Sequence, residues 1–278
     1  MSDRYAVFGN PVGHSRSPDI HAAFATQTGE TLEYTKQHIE AGTFSACARS
    51  FFASGGKGLN ITLPFKTDAF EFADTLTERA RRAGAVNTLI KNNDGTVLGD
   101  NTDGVGMVRD ITENLHWKIA EQQILILGAG GAVRGVLEPL LTQQPSKVVI
   151  ANRTVEKAMQ LANDFSDLGN VLGSGFDELE KLSPFDLVIN GTSASLSGEL
   201  PPLPENLMAE NACAYDMMYA AKPTVFMQWM SQHGISRITD GLGMLVEQAA
   251  ESFYLWRGVR PETRTLIQNL REEINLNR

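Results

Sequence analysis

The sequence is short of the features that would place it outside ordinary globular proteins. Its 278 residues include two cysteines, Cys47 and Cys213, which lie far apart, match no metal-ligand spacing and read as packed thiols. No apolar run reaches the ~20 residues a membrane-spanning helix needs. The opening Met1-Ser-Asp-Arg-Tyr5 has no signal-peptide core, so a cytoplasmic protein with no membrane partner is expected. Basic residues are in deficit: 24 Lys and Arg against 33 Asp and Glu give a formal charge of −9, which argues against nucleic acid or an anionic membrane as a partner. An anionic ligand therefore needs a dedicated pocket. There is no internal repeat, low-complexity tract or Pro/Gly-rich linker. His21, His38, His116 and His233 have no partner at metal or triad spacing, and no metal is expected.

What is present is an alternation of strands and helices over a length sufficient for two α/β domains. In the first half, strands are expected at 5–8, 32–38, 58–62 and 85–91, with helices at 17–28, 43–53 and 65–83 between them. The turn Asn92-Asn-Asp-Gly95 adds a strand at 96–99. This predicts a mainly parallel sheet. A helix from Asp103 to Leu115 leads into a second domain with strands near 124–127, 147–151, 186–190, 212–216 and 236–239, and the segment 244–275 is helical in pattern.

The second domain opens on Ile124-Leu-Ile-Leu-Gly-Ala-Gly-Gly-Ala-Val-Arg-Gly-Val-Leu137, a buried strand, a glycine-rich turn and a helix start in succession. That order builds a cradle for a nucleotide pyrophosphate. Gly128 permits the tight turn, Gly130 and Gly131 let backbone N–H groups approach phosphate oxygens, and the helix points its positive end at them. The next strand ends in Asn152-Arg-Thr154, where a protein specific for NAD places an acidic residue on the ribose 2′-hydroxyl. Arg153 between two neutral polar residues suits a 2′-phosphate instead, which favours NADP.

The first half carries a second group of polar residues at expected strand ends. Ser15-Arg-Ser-Pro18 opens a helix, with Ser17 placed to cap it and Pro18 as its first residue, and the same geometry aims two hydroxyls and free N–H groups at the mouth of the sheet. In Asn60-Ile-Thr-Leu-Pro-Phe-Lys66, Pro64 starts a helix whose first turn carries Lys66 against the helix dipole. Asn87 and Asp103 are expected nearby, because ligands in open α/β sheets bind outside the carboxyl ends of the strands. Asp100 and Asp103 read equally well as turn and N-cap acids.

Taken together, Gly9-Asn-Pro-Val-Gly-His-Ser-Arg-Ser-Pro18, Asn60–Lys66, Gly84-Ala-Val-Asn87, Asp100-Asn-Thr-Asp-Gly104, Gly128-Ala-Gly-Gly-Ala132, Asn152-Arg-Thr154, Asp216-Met-Met-Tyr219 and Asp240-Gly-Leu-Gly-Met-Leu-Val-Glu-Gln-Ala249 closely resemble the shikimate dehydrogenase family. The resemblance covers nearly the whole chain. It implies NADPH-dependent reduction of 3-dehydroshikimate to shikimate in aromatic amino-acid biosynthesis, by a monomer or homodimer. It also implies a substrate domain from residues 1–102 plus about 242–278, to which the C-terminal helices return, and a Rossmann-type NADP-binding domain from 103–241. By the same resemblance, Ser15, Ser17 and Tyr219 hold the substrate carboxylate, and Thr62, Asn87, Asp103 and Gln248 hold ring hydroxyls. Lys66 is the acid/base, with Asp103 beside it. Gly128, Ala129, Gly130, Gly131 and Ala132 meet the pyrophosphate, Asn152, Arg153, Thr154 and Lys157 the adenosine phosphate, and Met217 and Gly241 the nicotinamide. A quinate/shikimate enzyme of dual cofactor use and a silent NADPH-binding sensor stand as alternatives. The sensor would keep the glycine loop without needing Lys66 together with Asp103.

Overall fold

The computed structural model of the chain describes residues 2–192, 194 and 198–276. The chain forms two compact units: residues up to Gly106 together with Val246–Asn269, and Met107–Leu245 together with the residues from Leu270 onward. Among the described residues no helix is long and apolar enough to cross a membrane.

The first unit is built on strands β1 (Asp3–Gly9), β2 (Leu32–His38), β3 (Gly56–Ile61), β4 (Thr75–Leu76), β5 (Thr88–Lys91) and β6 (Val97–Asp100), in the order β2-β1-β3-β5-β6-β4. β1 pairs in parallel with β2 and β3, with the helices Ser17–Thr28 and Phe44–Ala53 supplying the crossovers that parallel neighbours require. β4 also runs parallel to β6, but β5 is antiparallel to both β3 and β6. The mainly parallel expectation is thus modified to a mixed sheet, because the turn at 92–95, with Gly95 at φ 92°, makes β5 and β6 a hairpin. The expected helix over 65–83 is two, Lys66–Phe72 and Glu78–Ala83. Asp74 causes the break: its carboxylate accepts the Val97 N–H at 2.8 Å and its own N–H donates to the Val97 carbonyl at 2.9 Å, tying β4 to the sheet edge.

Alternation along β1 sends Ala6 and Phe8 to one face, where Phe44, Phe51, Leu59 and Leu89 join them. Tyr5 points to the other face, into an aromatic group of His21, Phe24, Tyr34, Phe253 and Trp256. Trp256 donates its indole N–H to the Leu89 carbonyl at 3.1 Å and lies flat on Gly58, where a Cβ would sit 2.3 Å from Nε1. Only glycine permits that approach. His21 is fully buried, stacked 4.4 Å from Tyr34, and neither ring nitrogen has a hydrogen-bond partner. Burial, opposed by the neighbouring Asn60 side chain, pushes its pKa down to about 3.

That shift has a definite sign. Below pH ~6.5 the unfolded chain protonates His21 and the folded chain does not, so stability falls by about 1.4 kcal/mol per pH unit toward pH 3. His21→Phe removes this contribution. The stability of the variant relative to the native protein should rise by ~2 kcal/mol between pH 7.5 and pH 5 in denaturant titrations. A difference that stays constant with pH would remove His21 from the acid sensitivity of the fold.

The second unit holds β7 (Gln123–Leu127), β8 (Lys147–Ala151), β9 (Val171–Ser174), β10 (Phe185–Asn190), β11 (Met208–Asp216) and β12 (Arg237–Thr239), all parallel, in the order β12-β11-β10-β7-β8-β9. Residues 124–127, 148–151 and 187–190 are buried on both faces, as the continuous apolar runs of a helix-covered parallel sheet should be. Strand order reverses at β7, and doubly wound sheets bind ligands at the carboxyl ends of the strands flanking such a point. The edge strand β9 is absent from the sequence reading, since its four residues expose Leu172 and carry no alternation. The expected helix from Asp103 runs to Arg109 and continues as a wider π turn, Asp110–Asn114. The helical segment at the end is two helices, Leu242–Arg257 and Arg264–Leu276, parted at Gly258, whose φ is 73°.

Candidate active site

In the first unit, Lys66, Asn87, Asp103 and Gln248 come together beyond the ends of β3 and β6. Lys66 is the first residue of its helix, so its cation opposes the helix dipole, and the opposition is answered by Asp103: Nζ lies 2.5 Å from Oδ2. Both side chains keep some access to solvent, 28% and 16%. The other Asp103 oxygen accepts the Asn87 amide at 2.8 Å. The Asn87 amide cannot turn over, because its Oδ1 accepts the Thr102 backbone N–H at 2.9 Å. The Gln248 Oε1 stands 3.4 Å from Asn87 Nδ2 and 3.5 Å from the Thr102 hydroxyl. A fixed amide thus presents Asp103 to Lys66. Sequence reading missed Thr102, since nothing in its local pattern distinguishes a backbone donor aimed at a residue 15 positions away.

Asp100 belongs to a different group. It is buried and takes a bidentate contact from Arg79 at 2.6 and 2.7 Å and the Thr77 hydroxyl at 2.6 Å, while Arg79 also reaches Glu251 at 3.1 Å. Asn60 is likewise enclosed, donating to Thr88 and Ser252 and accepting from Tyr34.

The two serines need one correction. Ser17 does not cap its helix: it is the first helical residue, Arg16 occupies the cap position with no side-chain hydrogen bond, and the Ser17 N–H donates to Ser15 Oγ at 3.3 Å. Ser15 donates its hydroxyl to Ser17 Oγ at 3.1 Å. The reason is the loop, which closes one residue earlier than the Ser-Pro pattern implies, with the Ser15 N–H on the Val12 carbonyl. Thr62, just past β3, packs its methyl on Gly9, where a Cβ would approach to 2.4 Å.

In the second unit, β7 ends at Leu127 and Gly128 turns the chain with φ 102°. Gly130 is the cap residue of the helix Gly131–Leu141, and no side chain caps that end. A Cβ at Gly130 or Gly131 would meet nothing within 4 Å. The protein's own packing does not demand these glycines, whereas a phosphate resting on the helix end does. Gly128, Ala129 and Gly130 border a cavity of about 850 Å³ that extends past Asn152, Arg153 and Phe176 to Thr192 and residues 199–202. A smaller recess of about 220 Å³ joins Ala129 and Gly130 to Asn152, Arg153, Thr154 and Lys157. Among the described residues neither Arg153 nor Lys157 forms an ion pair. Two unpaired cations beside a phosphate cradle fit an additional phosphate. Ala132 follows on the exposed side of the first helical turn.

Met217, one residue beyond β11, donates its N–H to the Asn190 carbonyl at 2.9 Å, and its own carbonyl abuts Gly241, where a Cβ would lie 2.2 Å away. Tyr219 is half-buried two residues further on. Phe176, Thr192 and residues 199–202 were not singled out from sequence. The Asn190-Gly-Thr192 that ends a buried strand beside the glycine loop was the available signal. Among the described residues no group of three His, Cys, Asp or Glu is placed to hold a metal ion.

A doubly wound sheet with a glycine-rich turn at its switch point, and two cations free of ion pairs beside that turn, is the build of a nicotinamide-nucleotide-dependent oxidoreductase. Family models agree along the chain: the shikimate dehydrogenase substrate binding domain matches residues 7–89, shikimate / quinate 5-dehydrogenase 110–198, and the shikimate 5'-dehydrogenase C-terminal domain 241–271. The chain is 60% identical over 275 residues to the shikimate dehydrogenase (NADP(+)) of Cellvibrio japonicus, covering 99% of each. It superposes on an Ael1 enzyme from Pseudomonas putida with a TM-score of 0.93 at 47% identity, over 97% of this chain and 98% of that one. It also superposes on the Thermus thermophilus shikimate 5-dehydrogenase in complex with NADP(H) and shikimate, with a TM-score of 0.84 at 28% identity, over 98% and 99%. The chain belongs to the shikimate dehydrogenase family.

Proposed function

We infer that the protein catalyses the reversible, NADP-dependent interconversion of 3-dehydroshikimate and shikimate, as a biosynthetic enzyme of the cytoplasm. The observation that carries the chemistry is the ion pair of Lys66 with Asp103, held by an Asn87 amide that cannot turn over. When bound, NADPH supplies a hydride to the ketone carbon. The carbonyl oxygen gains negative charge as this occurs, and Lys66 Nζ donates the proton that neutralises it. In the reverse direction Lys66 accepts that proton from the hydroxyl. Asp103 keeps the ammonium aimed and, with Thr62, Asn87 and Gln248, holds ring hydroxyls. Ser15, Ser17 and Tyr219 take the carboxylate, the hydroxyl pair Ser15–Ser17 already pointing one to the other.

On the nucleotide, Gly128 to Ala132 receive the pyrophosphate, Asn152, Arg153, Thr154 and Lys157 the 2′-phosphate, and Met217 and Gly241 the nicotinamide. The test is reduction of NADP⁺, followed at the absorbance band of the reduced cofactor, with shikimate or quinate as substrate and NADP⁺ or NAD⁺ as acceptor. Shikimate with NADP⁺ should give the highest kcat/KM. Arg153→Ala should remove most of the preference for NADP⁺, a loss on the order of 1.5–3 kcal/mol of charge-assisted contact, and leave NAD⁺ kinetics nearly unchanged. Equal weakening of both cofactors would detach Arg153 from the 2′-phosphate.

A further inference from the structure

Two buried polar side chains at the ends of β10 and β11 have no part in the chemistry above. Asn190 and Asp216 are register partners on these adjacent strands and are 1% and 0% exposed. Asn190 Nδ2 donates to Asp216 Oδ1 at 3.1 Å. Asn190 Oδ1 accepts both the N–H and the hydroxyl of Thr192, at 3.1 and 2.8 Å, which closes the turn after β10. Asp216 accepts the Met218 N–H at 3.1 Å and the Thr224 hydroxyl at 2.6 Å, which closes the turn after β11. A carboxylate and an amide withdrawn this far from water are costly unless their partners stay in place. The two turns are therefore held in a single arrangement.

The turn after β10 faces the ligand cavity. Gly191 and Thr192 line it, and Thr192 packs its methyl against the cradle, 3.1 Å from where a Gly128 Cβ would be. The Met217 sulfur lies over Gly191, 3.2 Å from the corresponding point. A Cβ at Gly191 would also strike Val133, on the helix of the cradle, at 2.4 Å. The turn is thus wedged between the pyrophosphate loop and Met217, with no slack to absorb a shift.

We propose that Asn190 and Asp216 are a positioning pair, which sets the turn of Gly191 and Thr192 together with Met217 as one wall for the nicotinamide half of NADP(H). The proposal rests on the reading of this unit as the NADP site. Under it, affinity for the nicotinamide half and turnover depend on the pair, whereas the grip on the adenosine 2′-phosphate does not. The side chains act through the two turns and touch no reacting atom.

The experiment compares two probes by calorimetry: NADPH, and adenosine 2′,5′-bisphosphate, which lacks the nicotinamide half. Asp216→Ala should weaken NADPH about tenfold or more, leave adenosine 2′,5′-bisphosphate unchanged, and lower kcat by roughly 10- to 100-fold. Asp216→Asn keeps an acceptor for Asn190 and Met218 and turns its NH₂ toward the Thr224 hydroxyl, which can accept it, so this variant should recover most of the NADPH affinity. Equal weakening of both probes, no recovery in Asp216→Asn, or undiminished NADPH affinity in Asp216→Ala would each overturn the proposal. If the alanine variant does not fold, Thr224→Val carries the same comparison, with a several-fold loss for NADPH alone expected and no loss overturning it. A native protein that turns over no shikimate overturns the functional reading instead, and the two titrations still decide the pair.

Discussion

Lys66→Ala should lower kcat by roughly 10²–10⁴-fold, the usual worth of a positioned acid/base, while the fold and the binding of both ligands should persist. The geometry gives three reasons. The ammonium is the charged proton donor of its cluster, Asp103 being its ionic partner and Asn87 and Gln248 carrying amides. It stands at the amino end of a helix, where the dipole offers a cation no support and the pairing with Asp103 is what offsets it. Its partner is aimed by an amide whose orientation is fixed by a backbone N–H. Asp103→Asn tests the last point: with the Asn87 NH₂ locked toward position 103, an amide there can satisfy either Asn87 or Lys66 but not both. Turnover and shikimate affinity should then fall together. Steady-state kinetics with calorimetric substrate binding separate the cases. A Lys66→Ala enzyme with near-normal kcat would sink the mechanism, and one that binds no substrate would make Lys66 a ligand first.

The second large effect concerns stability. Arg79→Ala strands the Asp100 carboxylate in a site from which water is almost excluded, its side chain being 1% exposed. Removing one partner of such a pair costs about 3–5 kcal/mol, which for a chain of this size lowers the midpoint of thermal unfolding by roughly 10 °C. The damage should also reach the site, because Asp100 accepts the N–H of Asn101 at 2.7 Å, and Asn101 in turn accepts the N–H of Asp103 at 3.1 Å. Replacing both partners, Arg79→Leu with Asp100→Asn, should recover much of the loss, since no uncompensated charge remains. Thermal melts of the single and double variants decide it. A single variant within about 1 kcal/mol of the native protein would show that Thr77 and the backbone suffice for Asp100.

What could be read from sequence was local. The cradle from Ile124 to Leu137 was legible because strand, turn and helix follow one another and Gly128 has the positive φ that its position demands. Lys66, Asn87 and Asp103 could be grouped because each sits at the end of an element and such ends converge on one edge of a sheet. The misses share a cause of another kind. Thr102 opposite Asn87, Arg79 beside Asp100, and Asn190 beside Asp216 are pairings between elements distant along the chain, and they depend on which elements are neighbours in space. Nothing in a residue's surroundings along the chain encodes that β6 lies between β5 and β4. The misplaced cap at Ser17 is a smaller error of one residue, decided by how the preceding loop closes on Val12.

The first unit is assembled from two stretches separated by some 140 residues of the other, and this orders events during synthesis. β1 to β6 precede the second unit along the chain, yet the aromatic face of their sheet, with Tyr5, His21 and Phe24, is completed by Phe253 and Trp256. Those side chains are made only after residues 107–245 of the other unit. During synthesis that sheet face is therefore without its Phe253 and Trp256 cover until residues 107–245 of the other unit have been made. The exposure of that face to aggregation during synthesis lasts until the tryptophan at position 256 can cover Gly58.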